Sequence, residues 1–98
     1  SLEEIDKLIS ADKEKVRLAA GIDSEVVTLS NGMTGPIRVE WDLSGAKGVS
    51  VSASLTVIPA KTSSLLTVRR TGTVKPEGVI GLHILPTGKR MQIQVQGE

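Results

Sequence analysis

The sequence of 98 residues has no cysteine, no phenylalanine and no tyrosine, one tryptophan (Trp41) and one histidine (His83). Without thiols there are no disulfides, no thiolate metal sites and no cysteine nucleophile. With a single imidazole besides, a tightly bound transition metal has too few ligands, and no cofactor is expected. Aromatic rings ordinarily supply large buried areas, so the core here must be built from Val, Ile, Leu and Ala. Stacked nucleobases or sugars would find almost no platform. A net charge of +1 gives no electrostatic reason to expect nucleic acid. No apolar run is long enough to span a bilayer, and no basic segment followed by an apolar stretch opens the chain. A cytoplasmic, membrane-free setting is therefore the expectation.

What is present fits one domain, with 39% hydrophobic and 23% charged residues. Charge is unevenly spread, with acids in excess over residues 1–25 and bases in excess over 61–98. Leu2, Ile5 and Ile9 fall three and four apart and predict a helix, and Val16 continues the stripe seven residues after Ile9. Ser10 reads as the N-cap of a second short helix, "ADKEKVRLAA", which Gly21 would end in the left-handed conformation. Residues 1–22 are thus expected to form a helical cap on a β region covering 23–98.

From Asp23 onward the period is two. Strands are predicted over 25–29, 36–43, 49–58, 64–71, 78–85 and 89–96, separated by turn sequences centred near 33, 46, 61, 75 and 87. In "GVSVSASLTVI", Val49, Val51, Ala53, Leu55 and Val57 form a predicted core face, and Ser50, Ser52, Ser54 and Thr56 a face left to solvent. About six short strands, regular corners and few aromatics favour a β-solenoid. An antiparallel β-sandwich or barrel is the alternative.

No catalytic constellation assembles, and an enzyme is not expected. His83 lacks a nearby nucleophile or further ligands in sequence and reads as a structural residue on a strand covered on both sides. Glu40 and Asp42 share one strand face, with Trp41 turned inward as a core anchor. Arg69 and Arg70, with Lys75, Lys89 and Arg90, could grip an acidic partner or simply guard sheet edges. "TGPIRV" and "PTGKR" do not have the Walker spacing.

The run "SADKEKVRLAAGID" resembles the segment leading into the core of SufB and SufD, the scaffold family of SUF iron–sulfur cluster assembly, and the strands from "VSVSASLTVIPAKTSSLLTVRRTG" onward are similar to that family's parallel β-helix. The resemblance implies a non-catalytic scaffold acting through protein association, with the ATPase SufC as a partner. Family members are several times longer, so this chain would be a fragment or a reduced relative. It has no cysteine to hold a cluster and no counterpart of the C-terminal helical part that engages SufC, so no family residue role transfers to a position here. The expected interaction surface comprises Arg69, Arg70, His83, and Ile93 and Val95 of an open-ended "MQIQVQ" strand. On that reading Ile93→Lys would reduce self-association with little loss of folded signal. A small sandwich binding a ligand or a protein, with His83 and the arginine pair at a pocket, is the alternative function.

Overall fold

A computed structural model describes residues 2–98, with the side chains of Leu2, Glu3 and Ile5 outside the described set, and with them the Leu2/Ile5 part of the expected stripe. The elements are α1 (Leu2–Leu8), β1 (Ile9–Ala11), β2 (Lys15–Leu18), β3 (Ser24–Asn31), β4 (Ile37–Asp42), β5 (Ala46–Lys47), β6 (Val49–Ala53), β7 (Val57–Ile58), β8 (Thr62–Arg70), β9 (Glu77–Leu85) and β10 (Lys89–Gly97). They form two sheets, ordered β1-β3-β8-β6 and β2-β10-β9-β4-β7, with β5 also paired to β9.

Alternation places the core between the sheets. Val27, Leu29, Leu66 and Val68 point inward from the β8 sheet and meet Ile80, Leu82, Ile84, Ile93 and Val95 from the β9 sheet, all buried. At roughly 1.5–3 kcal/mol for each fully buried aliphatic side chain, such rows can hold two sheets together without aromatic rings. The low aromatic content therefore does not imply a solenoid, and the solenoid expectation is overturned. β3 and β8, β8 and β6, β4 and β9, and β9 and β10 all pair antiparallel. The parallel pair, β2 with β10, joins opposite ends of the chain and not successive coils. The sandwich alternative fits.

The second N-terminal helix is also corrected. Its sequence favours helix locally, yet Val16 and Leu18 are buried while Lys15 and Arg17 are exposed, the period of a strand. Ile9 and Val16 both reach the core, but from different sheets. Gly21 does adopt φ +84°, turning the chain after β2.

Each margin of the sandwich carries a segment that changes sheets. After β1, Asp12 N–H donates to Thr28 O at 3.0 Å and the Asp12 carboxylate accepts from Thr28 N–H at 2.8 Å. Two residues later the chain is on the other sheet, where Glu14 O accepts from Gln94 N–H at 2.8 Å. On the opposite margin Ser54 N–H still bonds Leu65 O, whereas Thr56 O accepts from Val39 N–H, both at 2.9 Å. The buried Ser64 hydroxyl holds this crossing by donating to Leu55 O at 2.7 Å and accepting from Leu55 N–H at 3.0 Å. The alternation slips there by one residue. Val49, Val51 and Ala53 face the core as expected, but Leu55 and Val57 are 39% and 52% exposed and Ile58 is buried instead. Ser50 and Ser52 lie on the wet outer face.

Candidate functional site

The direction of backbone groups along β10 defines the site. Gln94 N–H bonds Glu14 O and Glu98 N–H bonds Leu18 O, so even-numbered residues turn their N–H and C=O toward β2, and odd-numbered residues turn theirs toward β9. β2 begins at Lys15, opposite Gln94. Ahead of that point Arg90 and Gln92 direct N–H and C=O into a gap where, among the described residues, no strand pairs with them. The gap exists because Asp12 and Glu14 carry the preceding segment from one sheet to the other.

A cleft of about 590 Å³ opens beside this edge. Ala11, Glu14 and Lys15 line one side, and the half-buried Met91 contributes apolar surface, with Leu82 and Ile93 almost fully buried beside it. One end is closed by Lys89, whose ammonium donates to Asp6 O at the end of α1 and to Ile9 O at 2.9 Å. The other end is closed where Gln94 meets Glu14. Residues 89–93 between them span about 15 Å, room for one short extended segment.

The expected interaction residues are placed separately. Ile93 and Val95 are 2% and 3% exposed, so β10 offers an incoming chain its backbone edge and not these side chains. Arg69 and Arg70 point to opposite faces of β8. Arg69 is exposed opposite Ser24 and Ser50. Arg70 is a half-buried clasp, donating from Nη1 to Glu98 O at 2.6 Å and from Nη2 to Leu18 O at 2.8 Å and Ala19 O at 3.1 Å, with longer bonds to Ile22 O. It ties β8 to the turn after β2 and to the end of β10. Arg70→Met, which keeps the stem and removes these donors, is expected to cost about 2 kcal/mol in urea unfolding, with local loosening of residues 19–22 in amide exchange.

His83 belongs to the other sheet, so a pocket shared with the arginine pair does not form. It is half-buried on the outer face of β9, flanked by Glu40 of β4 and Arg90 of β10, and makes no hydrogen bond or ion pair among the described residues. Glycine at position 81 leaves a groove of about 320 Å³ beside it, with Asp42 and Gln92 across the same row. Asp42 is held below the ordinary carboxylate range by Ser44, chiefly through its N–H and then its hydroxyl. Arg38 pairs loosely with Glu40 at 3.9 Å. Trp41 is half-buried against the core, and Glu40 and Asp42 share the outer face as expected.

Two antiparallel-dominated sheets with edge segments that switch between them make this a two-layer β-sandwich. Solved structures of that kind are similar to it. The YadV chaperone matches with a TM-score of 0.66 and 20% identity over 93% of this chain and 51% of that one. The chaperone–tip adhesion subunit pre-assembly complex CsuC-CsuE of Acinetobacter baumannii matches with a TM-score of 0.69 and 16% identity over 91% and 50%. PapD-like domain 7 of human CEP192 matches with a TM-score of 0.65 and 9% identity over 93% and 84%. This chain spans about half the length of the two chaperone-system chains. No family model and no curated protein matches the sequence. The resemblance to SufB and SufD is thereby overturned, and with it the β-helix, the iron–sulfur assembly role and SufC as partner: the likeness is to sandwich chaperones, and the strands do not stack in coils.

Of the residues that define the cleft, Asp12, Glu14 and Gln92 were missed by side-chain chemistry, and Arg90 was singled out only for its charge. The available signal was the break that Asp12 and Glu14 make between two apolar stretches, which reads equally well as a helix surface.

Proposed function

We propose that the chain is a non-catalytic protein-binding module that takes a short extended segment of a partner along the outer edge of β10. The observation that carries this is the open edge at Arg90 and Gln92, unpaired by any strand among the described residues, beside a cleft of mixed polar and apolar lining closed at both ends. Strand addition of this type draws affinity from main-chain hydrogen bonds and selectivity from pockets for alternate side chains. The incoming segment would bond Arg90 and Gln92 and turn every second side chain toward Leu82 and Met91. Structural likeness to chaperones, one of them solved with an adhesion subunit, supports protein as the ligand class.

Gln92→Pro separates this edge from the fold, because the N–H it removes faces the gap and serves no bond within the sandwich. Random seven-residue peptides selected on the wild-type protein are expected to carry alternating apolar residues and to shift the Arg90 and Gln92 amide signals. Their affinity for a folded Gln92→Pro variant is expected to fall at least about tenfold. Selected peptides that bind the proline variant equally well would place the site elsewhere.

A further inference from the structure

A second open edge lies on the opposite margin, in the other sheet, and its chemistry differs from that of β10. Ser54 N–H bonds Leu65 O and Gly48 O accepts from Thr71 N–H, so the even-numbered residues of β6 face β8. The N–H and C=O groups of Val49, Val51 and Ala53 therefore point away from the sheet, and among the described residues none has a hydrogen-bond partner on that side. Edge strands are usually guarded by charge, proline or extreme shortness. β1 is three residues long, β7 is two, and β2 carries Lys15 and Arg17. From Gly48 to Ala60 no residue is charged, and the strand itself is "VSVSA".

We infer that the outer edge of β6 pairs with the same edge of a second copy of this chain, antiparallel about a two-fold axis through Val51. The sequence is self-complementary in that register. Val51 meets the partner's Val51 and Val49 meets the partner's Ala53, in hydrogen-bonded pairs contributing about six main-chain bonds. On the outer face Ser50 meets the partner's Ser52, two small hydroxyls with no charge to repel. The β8 sheets of the two copies then run together through β6. The same self-pairing at β10 would gather Lys15, Lys89 and Arg90 of both copies, so like charge opposes it there and neutrality permits it at β6. With little side-chain area added, the association is a weak one that depends on concentration. It is independent of the peptide edge proposed for β10.

The chain's lack of cysteine allows a direct test. Ser50 and the partner's Ser52 form a non-hydrogen-bonded pair, whose Cα separation of about 4.5 Å falls in the range that a disulfide bridges. Under mild oxidation an equal mixture of Ser50→Cys and Ser52→Cys chains is expected to give several-fold more mixed disulfide dimer than either variant gives alone. In sedimentation the wild type should gain mass with concentration. The Ser50→Lys/Ser52→Lys variant, altered only at exposed outer-face positions, should stay folded, with a small loss of melting temperature because the lysine at position 50 faces Arg69, and associate at least about tenfold more weakly. A monomer mass at every concentration overturns the inference, as does cross-linking that is equal for each single variant and for the mixture. Association abolished by Gln92→Pro but untouched by the lysine pair also overturns it, since that would place the contact on β10.

Discussion

Ile93→Lys is expected to unfold the protein. Ile93 is 2% exposed, lies opposite Ile80 in the β9–β10 register and points between the sheets. Lysine there must either bury an unpaired ammonium or give up its proton and still leave an amine among aliphatic side chains, a cost of several kcal/mol. Typical domains have only about 5–15 kcal/mol in total. Far-UV circular dichroism with a urea titration measures it, and Ile93→Val, expected to cost about 1 kcal/mol, serves as the conservative control. A Lys variant with a midpoint near that of wild type contradicts the inward orientation of β10. The outcome also separates the sandwich from an open-ended solenoid, in which Ile93 would be exposed and the substitution would leave the folded signal intact.

Asn31→Leu is expected to cost about 2–4 kcal/mol, the second largest effect. Asn31 is 1% exposed, and its amide nitrogen donates to Ile58 O at 2.9 Å, Gly35 O at 3.0 Å and Pro59 O at 3.1 Å, while its oxygen accepts from Met33 N–H at 2.9 Å. These bonds fasten the β3–β4 turn to the end of β7, on the margin where the chain changes sheets. Leucine matches the volume and satisfies none of these groups, so Met33 N–H and the carbonyls of Gly35, Ile58 and Pro59 all lose the bonds the amide supplies. Equilibrium urea unfolding of the variant measures the loss. A change below about 1 kcal/mol would show that water or backbone adjustment replaces the amide.

The strands were legible because each carries its own period. Leu66 and Val68, Ile80 through Ile84, and Ile93 with Val95 alternate with polar or outer-face residues in sequence just as they do in the sheets. What stayed hidden depends on pairing between distant segments. "ADKEKVRLAA" is rich in helix-forming residues, and only β10, nearly eighty residues away, makes a strand of "KVRL". The one-residue slip that buries Ile58 and exposes Leu55 and Val57 follows from the crossing that Ser64 stabilises, and no local pattern announces it. Parallel and antiparallel pairing give the same alternation along a strand, so the choice between solenoid and sandwich fell to composition, which misled. The candidate site was the least legible part, because it consists of main-chain groups whose availability depends on where a neighbouring strand ends.

Amide hydrogen exchange along β10 tests the open edge most directly. In the free protein Met91, Ile93 and Val95 should be protected by β9, and Gln94 and Gln96 by β2, while Arg90 and Gln92 exchange rapidly. Addition of a selected peptide should slow those two amides and leave the rest of the strand unchanged. Protection of Arg90 and Gln92 in the free protein, or their continued rapid exchange in the saturated complex, would contradict strand addition at β10.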